Sequence, residues 1–394
     1  MSTEALLTPS VVTKETLVML ENNLVAAGKV NRKFENQFVK IGTTLTIRKP
    51  NRFVVTNGPG LSIQNITEPS TSITISNQLQ TAFQFSSQEL TLTVEEFSER
   101  YLKPAAAELA NAADYLVLTN FNQVFNEVGT PGQVPNAFSF LAAVGQRMDE
   151  GACPQDGRVL ILNPAAYWSM AAGLSTLYVK SVAEPALKGF LANIANFEIF
   201  LDQNIQGQLV GNYGGTPVVN GAGQTGASIV TNGWTASLTG LLNQGDVFTM
   251  AGVFAINPKN RQSTGSLQNF VVTSIAASDT GGNSTLNIYP AITLTGPYQT
   301  VSNAPANLAA ITVKGSANNL YAQNLGFTKD AFGFVTVPME VPQGVDFAAR
   351  EMYKNISLRI IRAYDIFNDT FPCRVDLLCG TATFYPEIAV RLTN

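Results

Sequence analysis

One run of residues has the spacing of a cofactor site. Gly221-Ala222-Gly223-Gln224-Thr225-Gly226 satisfies G-x-G-x-x-G, and Asp246 stands twenty positions beyond it, where an acid that binds a ribose hydroxyl would be sought. That chemistry needs the glycines to open a helix, because the helix N-terminus faces the pyrophosphate. The next residues, Ala227-Ser228-Ile229-Val230-Thr231-Asn232-Gly233, read as strand and turn, so the run is expected to be a glycine-rich interdomain linker. Carboxylates come in clusters: Glu95, Glu96 and Glu99; Asp149 and Glu150; and Asp365 and Asp369, which flank Phe367. Two facing carboxylates could cleave a glycoside without histidine, but adjacency in sequence does not place them across a cleft. Glu95, Glu96 and Glu99 sit where helical sequence begins, a position that acids favour on electrostatic grounds alone.

Histidine is absent from all 394 residues. Ser-His-Asp and Cys-His hydrolysis, His-ligated zinc and histidine pH switching are therefore excluded. Cys153, Cys373 and Cys379 have no framework spacing and are expected to be reduced, buried thiols, although Cys373 and Cys379 could meet across a turn. No P-loop, Cys-x-x-Cys or EF-hand pattern is present, and no cofactor or metal is expected. Aromatic residues are spread along the chain without basic interleaving, which does not suit a single-strand nucleic-acid platform.

The elements that would position these groups change character along the chain. Up to about residue 40 the sequence reads as an arm with one short helix, capped by Thr13, lined by Leu17, Leu20 and Leu24, and ended by Gly28. From Thr43 to Leu92 alternating segments such as Thr44–Arg48, Ser72–Ser76 and Leu90–Val94 predict a long projecting hairpin, interrupted by Asn57-Gly58-Pro59-Gly60 and Glu68-Pro69. A helix of about 25 residues is predicted from Pro104 to Val128, a rod of nearly 40 Å, on the spacing of Leu109, Ala113, Leu116, Phe121, Val124 and Val128. A second helix is predicted over about 137–150. The strand Val159–Leu162 then hands over at Asn163-Pro164, an N-cap and N1 pair, to a third helix whose Tyr167, Trp168 and Met170 are expected in the core. Phe197–Leu201 completes an α+β unit.

Composition breaks near Asn212-Tyr213-Gly214-Gly215. Between Gly221 and Leu320 the charged side chains are only Asp246, Lys259, Arg261, Asp279 and Lys314, and helix signals vanish. The block predicts a small β-barrel or sandwich inserted into the parent domain, with Ala331–Glu340, Ile356–Tyr364, Val375–Cys379 and Ala382–Tyr385 as returning strands.

Charge sharpens the division. Asp, Glu, Lys and Arg make up 13% of the chain, about half the usual share, and the net charge is −4. An acidic chain is a poor candidate for binding nucleic acid by counterion release. Residues 1–52 depart from the whole, with eight basic against four acidic side chains, as an arm docking on an acidic surface would have. The N-terminus has no signal-peptide pattern and no stretch is apolar enough to span a membrane, so neither export by a leader nor membrane insertion is expected.

Gly245-Asp246-Val247-Phe248-Thr249-Met250-Ala251-Gly252-Val253-Phe254-Ala255-Ile256-Asn257-Pro258, with Arg261–Gly265 and Gln268–Thr273 after it, resembles the insertion domain of tailed-phage major capsid proteins of the P22 type. The motif-level likeness is confined to this block, while the order of elements agrees over essentially the whole chain. The resemblance implies an α+β fold of the Hong Kong 97 type. It divides the chain into an N-terminal arm (1–42), an extended hairpin loop (43–92), a spine helix and peripheral domain (93–136) and an axial domain (137–212). An inserted β-barrel (213–320) and a C-terminal return (321–394) complete the layout.

The resemblance further implies a non-enzymatic coat protein whose copies assemble as pentamers and hexamers around double-stranded DNA, without sequence-specific binding. A scaffolding protein, a portal protein and a decoration protein are the other partners it suggests. Assembly would take place in the bacterial host cytoplasm, through a procapsid that expands. Lys-to-Asn crosslinking, found in some relatives, is not expected of this type. Arg48, Lys49 and Arg52 become candidates for pairing with Glu95, Glu96 and Glu99 of a neighbouring copy. Another self-associating virion component, such as a tail protein or adhesin, is the alternative, with a carbohydrate-active enzyme behind it.

Overall fold

The computed structural model describes residues 9–34, 44–55, 57–61, 63–64, 66, 68–86, 101–174, 193–345 and 347–394. They divide into two compact units. The first takes the described residues of Met1–Ile47, Ser70–Val117 and Phe332–Ala382, and the second those of Arg48–Pro69, Leu118–Ala331 and Thr383–Asn394.

The first unit is built on the fourteen-residue strand Thr370–Thr383, which pairs antiparallel with Ile356–Arg362 and with Asn77–Ser86. Phe347–Tyr353 continues the sheet beyond Ile356–Arg362. Asn77–Ser86 thus belongs to this sheet, whereas the sequence places it within a long hairpin. Among the described residues, Thr44–Arg48 and Ser70–Thr74 pair as that hairpin's stem, closed by Lys49 N donating to Pro69 O at 2.8 Å. Leu90–Val94 lies outside the described residues.

The helix Pro9–Asn23 packs on the sheet through Val12, Thr16, Leu17 and Leu20, all buried. Thr13 is buried in the helix interior and is not its cap, because the helix begins four residues earlier, at Pro9. The helix Lys103–Leu118 buries Ala106, Leu109, Ala113 and Val117 along one stripe. Its Asp114, 2% exposed, accepts from Val25 N (2.8 Å) and Ala27 N (2.7 Å), satisfying amides that open the short helix Ala26–Lys29.

The predicted 25-residue rod is not formed. The helix stops at Leu118, giving about 24 Å at 1.5 Å per residue, and gives way to a 3₁₀ segment, Thr119–Gln123, and the strand Glu127–Val128. Thr119, Asn120 and Asn122 favour non-helical backbone. Glu127 and Val128 gain a parallel pairing with Arg391 and Leu392.

In the second unit, a seven-stranded sheet runs in the order Glu127–Val128, Ala389–Thr393, Leu320–Thr328, Arg158–Leu162, Phe197–Leu201, Asn193–Ile194, with Gly207–Leu209 on Leu320–Thr328. The helices Phe138–Glu150 and Pro164–Leu174 join its core through Leu141, Val144, Met148, Ala166, Tyr167 and Met170. Asn163 caps the second of these as its sequence predicts, Oδ1 accepting from Ala166 N at 2.8 Å. Trp168 is a correction: it is 57% exposed, because it falls on the solvent side of a helix whose neighbour Tyr167 is buried.

The inserted block is a barrel. Its strands run Ile311–Val313, Val247–Ile256, Ser263–Val272, Ser284–Ile292, Gly226–Trp234, Gly215–Val219. The two edges meet, with Val219 N donating to Ala309 O (3.0 Å) and Leu308 N to Val219 O (2.9 Å). Closure removes the free edges that would invite pairing with another chain. Phe248, Met250, Phe270, Val272, Leu286, Ile288 and Trp234 fill the interior. At the turn before Ser284–Ile292, Asp279 Oδ1 accepts from Gly281 N and Asn283 N, both at 2.8 Å. Gly282 there has φ +74°, and a Cβ would lie 2.3 Å from Trp234 O, so only glycine fits.

Candidate functional site

The groups that could do chemistry resolve into structural roles. Gly221–Gly226 is a loop leading into the strand Gly226–Trp234 and not into a helix. Its Gln224 accepts from Val230 N (2.7 Å) and donates to Asn220 O (2.8 Å), so the glycine run closes on itself. Asp246 is 2% exposed and accepts from Gly211 N, Asn243 N and Gln208 Nε2 at 2.7–2.9 Å. Burial nevertheless pushes its carboxyl above the usual range, against the pull of these three donors. It fastens the base of the barrel to Gly207–Leu209.

Near it Arg391 is completely buried, its guanidinium 5.8 Å from the Phe121 ring, with Glu127 and Asp246 supplying negative charge. In the first unit, the fully buried Asp376 side chain accepts from Arg359 Nη2 (2.6 Å) on the neighbouring strand and from Arg374 Nε (2.6 Å) two residues away on its own strand. Asp149 pairs with Arg158 at 2.6 Å and Glu150 with Arg147 at 3.2 Å. Among the described residues no three His, Cys, Asp or Glu side chains could share a metal ion.

The three cysteines are free and buried. Cys373 and Cys379 lie six residues apart on one continuous strand, roughly 20 Å at the usual rise, so no turn brings them together. Burial raises their thiols to about 11 and about 12.

The surface is more informative. Beyond the stem Thr44–Arg48 the chain from Lys49 to Pro69 carries a row of exposed apolar side chains: Phe53 (62%), Val55 (96%), Leu61 (89%), Ile63 (84%) and Ile66 (71%). A soluble protein rarely gathers so many on one short segment unless something covers them. The base of the segment is held within its own unit. Arg52 Nη2 donates to Glu387 Oε1 at 2.9 Å, Arg52 N to the Tyr298 hydroxyl at 3.3 Å, and that hydroxyl to Asn51 Oδ1 at 3.0 Å. Lys49 Nζ sits 4.8 Å over the Tyr385 ring, and Arg261 Nη2 donates to Phe53 O at 3.1 Å.

Of the residues the sequence singled out, Arg48 is exposed and pairs with Glu68 of its own chain at 3.1 Å, Arg52 pairs with Glu387, and Lys49 makes its aromatic contact. Glu95, Glu96 and Glu99 lie outside the described residues. Glu387, Tyr298 and Tyr385 escaped sequence reasoning. They are more than 240 positions from Arg52, and no local pattern marks them.

A cavity of about 290 Å³ opens beside this anchor. Lys49, Arg52, Tyr385, Glu387, Tyr289 and Ala291 are among its lining residues. Desolvation lowers the Lys49 ammonium's pKa, with Glu387 acting in the opposite direction. Asn51 Nδ2 and Glu387 Oε2 are both buried and without a hydrogen-bond partner.

A second exposed feature closes the strand pair Ile356–Arg362 and Thr370–Thr383. Asp365 N donates to Thr370 O at 2.8 Å, and the tip between them presents Ile366 (75% exposed) and Phe367 (93%). Asp365 accepts from Phe367 N (3.0 Å) and Asn368 Nδ2 (2.7 Å), and Asp369 from the Tyr364 hydroxyl (3.0 Å), so the tip is set by its own side chains. These donors hold the Asp365 carboxyl below the usual range.

Comparison with solved structures returns phage structures among its matches. A structure from Mycobacterium phage Che8 superposes with a TM-score of 0.50 at 12% identity, covering 94% of this chain and 90% of that one. The capsid of cyanophage P-SCSP1u gives 0.45 at 12% identity (89% and 83% covered), and that of Ralstonia phage GP4 0.45 at 8% (90% and 84%). The fold is the α+β Hong Kong 97-type capsid fold with an inserted β-barrel. No curated protein sequence matches the chain. The family model described as P22 coat protein, gene protein 5, matches residues 1–393, and the chain belongs to that family of phage coat proteins.

Proposed function

We propose that copies of this chain assemble as pentamers and hexamers into the icosahedral head shell around the double-stranded DNA of a tailed phage. They would first form a procapsid on a scaffolding protein in the host cytoplasm, which then expands. The observation that carries this reading is the family match over residues 1–393. The exposed apolar row from Phe53 to Ile66 supports it, because a neighbouring copy would bury that row. The work is structural, without catalysis. A portal and a decoration protein would join the shell, and DNA would be enclosed without base-specific contacts.

In this reading the arm (1–42) and the spine, through its helix Lys103–Leu118, belong to the peripheral domain, and the loop segment Lys49–Pro69 lies on a neighbour, while Asn77–Ser86 stays in the subunit's own sheet. Residues 137–212 build the axial domain, 213–320 the insertion, and 321–394 return to the first two. Arg48, exchanging its exposed Glu68 partner, and Lys49 would then meet Glu95, Glu96 or Glu99 of the next copy, whereas Arg52 is held in a less exposed pair with Glu387.

Negative-stain microscopy of the protein expressed with and without the product of the neighbouring scaffold gene tests this. Closed shells are expected. Tubes would favour a tail component, and a monomer that never assembles would overturn the reading.

A further inference from the structure

The hairpin tip and the cavity are each incomplete alone. Phe367 is 93% exposed at the end of a turn whose carboxylates are already engaged in holding its shape. Exposing a phenyl ring to water on a rigid turn is unfavourable unless the ring is buried in the working state, and a preorganised tip loses little freedom on docking. At about 290 Å³ the cavity lies near the lower end of small-ligand pockets, room for an aromatic side chain with a little backbone and not for a folded element.

Its lining narrows the occupant further. The walls contributed by Tyr289, Pro290 and Tyr385 suit an aromatic ring. Lys49 makes no ion pair among the described residues, and the tip carries Asp365 and Asp369 on either side of Phe367.

From this complementarity we propose that the Asp365–Asp369 tip of one copy inserts Phe367 into the Lys49–Tyr289–Tyr385 cavity of a second copy, as a head-to-tail contact of the shell. The contact rests on the shell reading of the chain. A heterologous contact of this kind propagates from copy to copy, as a closed surface requires. The chain thereby carries plug and socket on separate parts of its own sequence.

The test uses the full chain, expressed with its scaffold. Phe367→Ala leaves the monomer's circular dichroism and melting unchanged, because the ring touches almost nothing in the chain, and lowers the yield of closed shells by about tenfold or more, as loss of an interface hot spot does. Ala291→Phe, which fills the cavity from within, has the same effect. Shells that carry Phe367→Cys together with Ala291→Cys give a ladder of covalently linked copies on a non-reducing gel after oxidation, and either cysteine alone does not. The native thiols are buried and stay silent. Wild-type shell yield from Phe367→Ala, or shells of the double variant that run as single chains, would overturn the proposal while leaving the shell reading intact. If the unaltered chain forms no shells, both fall.

Discussion

The inserted barrel and the loop segment Lys49–Pro69 lie in the same unit, and their relation to water is opposite. The barrel closes its sheet on itself and fills its interior with Phe248, Phe270, Trp234 and their neighbours. The loop exposes Val55, Leu61 and Ile63 almost completely and, among its described residues, is anchored at its base through Lys49, Asn51, Arg52 and Phe53. One region closes its sheet and fills its core from its own sequence, and the other leaves apolar surface uncovered within its own chain. Stability of the subunit and stability of the assembly are therefore encoded in different residues, and substitutions should separate them.

The largest effect is expected in the barrel. Phe248→Ala removes a fully buried ring and should destabilise the barrel by about 3–5 kcal/mol. Urea unfolding followed by the fluorescence of Trp234, which is buried while Trp168 is exposed, measures it. Gly282→Ala comes next, at more than about 1 kcal/mol, because its positive φ and the approach of Trp234 O both oppose a side chain. If either left the unfolding midpoint unchanged, the barrel would not be the self-sufficient half of the contrast.

The anchor should respond less. Glu387→Gln weakens a partly exposed ion pair, worth about 0–1 kcal/mol, and the expected sign is faster hydrogen exchange at Arg52 N with global stability unchanged. Leu61→Ser is expected to change monomer stability by less than about 0.5 kcal/mol while reducing shell yield. Charge reversal of the exposed Arg48 should likewise spare the monomer and impair assembly, read by sedimentation. Unimpaired assembly would remove Arg48 from the interface.

Much of this was legible in the sequence for physical reasons. The barrel announces itself through the loss of charge between Gly221 and Leu320, and the Asn163-Pro164 pair marks a helix start because a cap and an N1 proline are local devices. What misled was information carried by distant partners. The helix from Lys103 ends at Leu118 although apolar spacing continues to Val128, because Glu127 and Val128 are claimed by Arg391 and Leu392. Asn77–Ser86 reads as part of a hairpin but finds its partner in Thr370–Cys379. The cavity is assembled from Lys49, Tyr289 and Tyr385, which no window along the chain holds together. Apolar exposure at Phe367 was invisible for the same reason, since a Phe between two Asp residues reads equally well as core.

The way the barrel joins the rest of its unit has an evolutionary consequence. Val210 N donates to Asn319 O at 3.0 Å, Asn318 Nδ2 to Asn212 Oδ1 at 2.8 Å, and the Tyr213 hydroxyl to Gly315 O at 2.7 Å, so the chain leaves and re-enters at nearly one point. A gene encoding the parent fold could gain or lose about a hundred residues at that doorway without redirecting either strand.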